Sequence, residues 1–328
     1  MPLSQVGLFQ RPTGSTNVTQ SSSKTDEGAT RMLTQLRVQF DVVQAESDWA
    51  KYELLVLPDG VPVTDALAKK LQGYLKKGGK LLATGTSGLS ADASAVVLRE
   101  LGVKVEGMSP FTSTYMRFDE GALGSADGAL VSYAGDHVVY DRGVRVTAAP
   151  GTEVLARIVE PYFERAWDHF CSHRHTPGLM RASKYAAATL KGNVGYVSFD
   201  VFNQYAVHGN LPYRLVVKAL LERLLPEPLL KVSGPSYVEA TVQCQKGEEG
   251  MRQIVHVLAY SAERRTGNLD IVEDIVPLTD VAVSLRRAKA PKQVYLAPER
   301  VELPFRYENG RVEVTIPRVA GHAMVVVG

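Results

Sequence analysis

The chain has 328 residues, 45% of them hydrophobic, with 37 lysines and arginines against 35 aspartates and glutamates. That length predicts two domains, and a nearly balanced charge with no long single-sign block argues against nucleic acid or an anionic membrane surface as a partner. No stretch approaches the roughly 20 apolar residues of a membrane span, the segment MPLSQVGLFQ carries no signal-like pattern, and the two cysteines, Cys171 and Cys244, are far apart, so we expect a cytoplasmic chain without a disulfide framework.

The first half alternates short apolar runs with helical periods, the pattern of parallel strands joined by crossover helices. Gln5 to Phe9 reads as a strand, Thr13 to Ser23 as a polar loop, Thr25 to Leu36 as a helix and Val38 to Val43 as a second strand. Leu54 to Leu57 is a buried-type strand ended by Pro58, Asp59 and Gly60. Thr64 caps an amphipathic helix in which Leu67, Leu71 and Leu75 recur every four residues until Gly78 and Gly79 stop it, and Lys80 to Thr84 is the fourth strand. Ala93 to Leu101 reads as a helix and Val103 to Val105 as a strand, whereas Glu106 to Asp136 lacks a sustained period and reads as an irregular insertion. Strands are expected again at Val144 to Thr147, Val154 to Val159 and Asn193 to Phe202, and Tyr213 to Leu225 closes the unit as a helix.

Pro226, Glu227 and Pro228 mark a boundary, because such prolines cannot continue a helix. We therefore expect an α/β domain over residues 1–227 and an antiparallel β-sandwich over 228–328. In the second part Val238 to Val242, Ile254 to Tyr260, Val281 to Leu285, Gln293 to Leu296 and Ala323 to Val327 alternate as strands, and Asn309-Gly310 predicts a tight hairpin. Glu263-Arg264-Arg265 and Glu273-Asp274 read as solvated loop charges.

The stretches Tyr52-Glu53-Leu54-Leu55-Val56-Leu57-Pro58 and Leu75-Lys76-Lys77-Gly78-Gly79-Lys80-Leu81-Leu82, in this order of elements, resemble the flavodoxin-like fold of class I glutamine amidotransferases. More narrowly, they resemble the trimerisation domain of family 42 β-galactosidases and related glycoside hydrolases, and the ending IPRVAGHAMVVVG resembles their terminal β-domain. The resemblance implies a homo-oligomer such as a trimer and a catalytic barrel that this chain does not carry. Carbohydrate is then the expected ligand class of the parent enzyme, and no catalytic residue is assigned here. An amidotransferase of this fold needs an activated Cys at a strand-to-helix elbow and a His after a late strand. The corresponding positions here read Thr86-Ser87 and Asp200, so the dyad is expected to be degenerate, and Ser87 departs from the GxSxG pattern of a serine nucleophile.

The richest segment is PYFERAWDHFCSHRHTP, Pro161 to Pro177. In an extended strand His169, Cys171, His173 and His175 would share one face and could surround zinc, although no distant segment offers a second ligand pair. A second reading is a ligand- or subunit-facing loop presenting Trp167, His169, His173, Arg174 and His175 beside Tyr162, Phe163, Arg165 and Phe170. A third is an ordinary packed loop. If metal were bound, the alternative function would be an independent hydrolase using these histidines with Asp168 or Asp200, and a small-molecule-binding module is a further alternative.

Overall fold

The computed structural model describes residues 3–10, 23–124, 135–247 and 250–328. The Ser/Thr-rich loop expected from Thr13 lies outside the described residues up to residue 22, as do residues 125–134 of the segment read as an insertion.

Strand β1 (Val6–Phe9) is buried along its whole length. Helix α1 (Lys24–Gln35) starts where the Ser23 hydroxyl accepts the Asp26 amide, and its acids Asp26 and Glu27 lie in the first turn, where exposed N–H groups favour negative charge. β2 (Phe40–Val43) and the fully buried β3 (Leu54–Leu57) follow. Helix α2 (Asp65–Lys76) is capped by the Thr64 side chain, which accepts from the Leu67 amide, and it buries Leu67, Leu71 and Leu75 as the four-residue spacing predicts. β4 (Lys80–Thr84) then pairs in parallel with β3.

Beyond β4 the chain departs from the expected pattern. The helix expected over Ala93 to Leu101 is only a 3₁₀ turn, Arg99–Leu101. The Ser90 hydroxyl accepts the amides of Ser94 and Ala95, Asp92 accepts from Ser90 and Ser94, and Ala93 has φ 52°. Such local side-chain bonds give the backbone an alternative to helical pairing. The strand expected at Val103 to Val105 is present and runs on as β5 (Val103–Met108), and the segment read as an insertion from Glu106 holds a further strand, β6 (Thr114–Phe118). β7 (His137–Val139), β8 (Val144–Ala148), β9 (Glu153–Val159), β10 (Ala186–Lys191) and β11 (Val194–Val197) complete this part. The expected strand over Asn193 to Phe202 therefore ends early: Asp200 is the N-cap residue of helix α3 (Val201–His208), which leads into α4 (Leu211–Leu224).

The main sheet of the described residues has nine strands in the order β2-β1-β3-β4-β11-β10-β9-β6-β7. β3, β4 and β11 run parallel, and an antiparallel extension, β10-β9-β6-β7, builds on them. β5 and β8 form a separate ribbon.

The remaining strands form a sandwich. One sheet has the order β12 (Leu230–Val232), β17 (Leu278–Arg286), β21 (Arg311–Val319), β20 (Phe305–Glu308). The other has the order β13 (Val238–Gly247), β14 (Gly250–Ala259), β22 (Gly321–Val327), β18 (Val294–Ala297), β19 (Val301–Glu302). Valines such as Val255, Val257, Val312 and Val325 fill its core, as suits β-branched side chains on facing pleated sheets. Of the charges read as solvated loop charges, Glu273-Asp274 lie exposed in a loop as expected, whereas Glu263-Arg264-Arg265, also exposed, form most of strand β15 (Glu263–Thr266), which pairs with β16 (Leu269–Ile271); Arg264 pairs with Asp270 at 2.5 Å and Arg265 with Glu273.

Compactness divides the chain into one unit of residues 7–32 and 42–226 and another of residues 1–6, 33–41 and 227–328. The sandwich unit thus gathers two early segments. Inside it Gln39 Nε2 donates to the Ala240 carbonyl at 2.9 Å and Gln39 Oε1 accepts the Val242 amide at 3.0 Å, while Gln5 Oε1 accepts the Leu229 amide at 2.9 Å.

Candidate functional site

Two places in the α/β unit gather chemically capable side chains. The first is the carboxyl edge of the parallel strands, where open α/β sheets usually hold ligands. Asp59 follows β3 and is buried. Its Oδ1 accepts the Thr84 hydroxyl at 2.5 Å, and its Oδ2 accepts the Asn203 amide of the first turn of α3 at 2.7 Å. Ser87 is fully buried: its hydroxyl donates to the Pro58 carbonyl at 3.3 Å and accepts the Val61 amide at 2.9 Å. Tyr196, also buried, donates to the Gly85 carbonyl at 2.6 Å.

Gly85 has φ 59°, and a Cβ placed on it would lie 2.0 Å from Asp200 Oδ1, so the Asp200 carboxylate rests directly on the turn that follows β4. Thr86 is half-buried in that turn. Burial, and secondly the charge of Asp200, hold the Asp59 carboxyl well above the usual carboxylate range. The hydroxyls here are internal ties between strand ends, and Ser87 is inaccessible to a substrate.

The second place is the segment from Pro161 to Lys184. It runs in bends and turns, with a single bridge between Pro161 and Gly178. It is not an extended strand, so the spacing-two argument that put His169, Cys171, His173 and His175 on one face does not apply. The Tyr162 amide donates to the Pro177 carbonyl and the Tyr115 hydroxyl to the Thr176 carbonyl, closing the loop at its base. Arg165 donates to the carbonyls of His173 and Arg174 at 3.1 and 2.7 Å, and Cys171 Sγ to those of His173 and His175 at 3.4 and 3.7 Å. The guanidinium and the thiol thus hold the loop's own backbone.

The histidines diverge. His169 lies at the exposed tip against the Phe163 ring and 3.7 Å from Asp168, and His173 is exposed. His175 turns inward: its ring meets Tyr140 at 5.0 Å, and Tyr140 in turn packs on His208 at 4.1 Å. Burial, then the charges of Arg174 and Arg165, lower the His175 pKa and favour the neutral ring. Among the described residues no group of three or more His, Cys, Asp or Glu is placed to hold a metal ion.

His175, Arg174 and Arg165 share a cavity of about 350 Å³ with Thr112, Tyr140 and Phe163, and Glu164 and Thr176 also line it. The Glu164 carboxylate is held on one wall by the amide and hydroxyl of Thr112, at 2.9 and 2.5 Å. Sequence reading named the arginines and histidines but missed Thr112 and Tyr140. They arrive from the bend before β6 and from the residue after β7, and no local spacing marks them. Outside the cavity the loop displays Trp167 at 89%, Met180 at 86% and Phe170 at 70% exposure.

Residues 30–117 match a family described as the β-galactosidase trimerisation domain. No curated protein matches the sequence. Among solved structures, the α-L-fucosidase isoenzyme 2 from Paenibacillus thiaminolyticus is similar at 34% identity and a TM-score of 0.88, over 99% of this chain and 48% of that one. A β-galactosidase from Bacillus circulans sp. alkalophilus is similar in fold at 15% identity and a TM-score of 0.56, over 100% of this chain and 42% of its own. A catalytic mutant of Gan42B, a family 42 β-galactosidase from G. stearothermophilus, gives 16% and 0.57, over 99% and 40%. The chain therefore spans less than half the length of each, and it has the fold of a trimerisation-domain-containing part of glycoside hydrolases.

Proposed function

From a chain whose residues 30–117 match the β-galactosidase trimerisation domain, and which is similar along nearly its whole length to less than half of several glycoside hydrolases, we infer a non-catalytic assembly region of a glycoside hydrolase. In this reading residues 1–227 are the trimerisation-type α/β domain and 228–328 the accessory β-domain, the latter taking residues 1–6 and 33–41 into its compact unit. The parent activity belongs to a catalytic barrel that pairs with this chain, and carbohydrate is the substrate class of that barrel.

The observation that carries the reading is the trimerisation-domain match; the state of the carboxyl edge accords with it. The position of the amidotransferase nucleophile is taken by Thr86 and a sealed Ser87, and that of the base by Asp200, so the fold serves as a scaffold. The loop carrying Trp167, His169, His173, Arg174 and His175 faces a neighbouring subunit. Its bare Trp167, Phe170 and Met180 are large apolar side chains of the kind that become buried when subunits meet.

Light scattering on the purified chain tests this. A closed oligomer, most simply a trimer, is expected, and W167A together with F170A should shift its mass toward the monomer while leaving the melting temperature of each subunit little changed. A strictly monomeric wild type at high micromolar concentration would overturn it.

A further inference from the structure

One end of the sandwich carries a cleft of about 540 Å³ that assembly does not explain. It lies where the β13–β14 hairpin closes at Gly247 and Gly250, beside the chain that leaves β17 and enters β18. Five cations line it, Arg252, Arg287, Lys289, Lys292 and Arg300, and among the described residues no acidic side chain does. None of the five forms an ion pair with a described residue, although arginines elsewhere on this chain, such as Arg117, Arg145 and Arg264, each hold a carboxylate. Among the lining residues the opposing charge is the terminal carboxylate of Gly328, which already accepts the Lys292 amide at 3.0 Å.

Neutral partners hold these charges in place, and a neutral partner fixes a cation without cancelling it. Arg252 Nε and Nη2 donate to Gln245 Oε1 at 2.9 and 2.5 Å, and its Nη1 donates to the Tyr295 hydroxyl at 3.3 Å. Arg287 Nη1 donates to the Val327 carbonyl at 2.7 Å, while its backbone is pinned by the Gly310 carbonyl and the Tyr307 hydroxyl. The Arg300 guanidinium lies 5.2 Å from the centre of the Tyr295 ring. A guanidinium carries more N–H groups than these bonds use, so all three still have donors to offer. Lys289 and Lys292 are exposed, and their side chains have no partner among the described residues. A concave surface lined by one sign of charge focuses its field and draws counter-ions, and the mutual repulsion of the five is relieved when an anion enters.

We propose that this cleft binds a small oligoanion, a compound of about disaccharide size carrying two or more oxyanion groups. Its volume of about 540 Å³ falls well inside the range of small-molecule sites, roughly 300–1,000 Å³. Arg287 and Arg300 meet the oxyanions through charge-assisted, directional hydrogen bonds. Lys289 and Lys292 at the exposed rim act as point charges, and Tyr295, only 6% exposed, presents its hydroxyl to the cleft. A single oxyanion would leave most of the positive charge uncompensated, so the ligand is multivalent. The site goes beyond the assembly reading, since it lies within the sandwich unit of one chain and needs no partner.

The test is calorimetric titration of the purified chain with digalacturonate, pyrophosphate, lactose and acetate at constant ionic strength. Saturable 1:1 binding of digalacturonate or pyrophosphate is expected, at least tenfold tighter than lactose or acetate, and the tighter of the two tells an acidic sugar from a phosphate compound. The double variant K289Q/K292Q, altered at two exposed side chains, should lose tenfold or more for that ligand, and R300Q should lose severalfold. K69Q/K76Q, which removes the same charge from exposed positions of α2, should bind like wild type. Both oligoanions binding no better than acetate, or K289Q/K292Q binding like wild type, would overturn the proposal. So would an equal loss in K69Q/K76Q, which would trace the binding to net charge rather than to the cleft. Light scattering of the same samples reports assembly separately, so failure of this site and failure of the assembly reading are distinguishable.

Discussion

Asp59 shows how a single buried acid makes the scaffold sensitive to pH. With its pKa raised by burial and by Asp200, the folded state holds the Asp59 proton more tightly than the unfolded chain does. The associated stability is complete at pH below the ordinary carboxylate range, and it is lost as pH rises through the higher folded-state value. D59N, which keeps the shape and can still accept the Asn203 amide and donate to Thr84, removes this dependence. Thermal melts of both proteins from mildly acid to mildly alkaline pH should show wild type losing stability relative to D59N as pH rises; parallel curves would contradict the assignment. The neighbouring Gly85 carries a second constraint. Its φ of 59° disfavours any side chain, and an added Cβ would meet Asp200 Oδ1 at 2.0 Å. G85A should therefore destabilise by on the order of 2–3 kcal/mol, read as a lowered urea midpoint.

At the scale of elements, a comparison of two glycines separates backbone strain from collision. Asn309 and Gly310 have φ of 50° and 72° and turn β20 into β21, as the dipeptide predicts. A Cβ on Gly310 would meet nothing closer than the Arg287 carbonyl at 3.8 Å. G310A should cost only about 1 kcal/mol, the backbone part alone, and clearly less than G85A under the same urea titration. What sequence revealed follows the same division between local and distant causes. β3 and β4 were legible as short continuous apolar runs, and α2 and the main sandwich strands because one-sided burial imposes a period along each of them. The helix expected from Ala93 was not formed because Ser90, Asp92 and Ser94 bond their own backbone. β10 went unread because Ala186, Ala187 and Ala188 have weak strand preference and owe their place to β9 and β11 on either side. The histidine-rich loop announced its composition but not its shape. The cavity brings Thr112 and Tyr140 to Arg174 and His175 by sheet topology, which no spacing rule encodes.

At the scale of the whole molecule, the sandwich is not a self-contained tail. Two early glutamines complete it, Gln5 through the Leu229 amide and Glu227 carbonyl, and Gln39 through the Ala240 carbonyl and Val242 amide. Gln39 is 8% exposed, and besides a bond to the Arg37 carbonyl it holds these two β13 groups in a buried setting, so neither of them can turn to bulk water when the amide is removed. Q39L keeps the volume but leaves a buried donor and a buried acceptor unmade, each costing about 1–3 kcal/mol. Because both partners lie on β13, the loss should appear in the sandwich more than in the parallel sheet. Hydrogen exchange resolves this: in Q39L the Val242 amide should lose protection while the amides of β3 and β4 keep theirs. Equal loss in both places would mean that the glutamine supports the whole chain rather than one unit, and unchanged protection at Val242 would show that its carboxamide does not hold the strand.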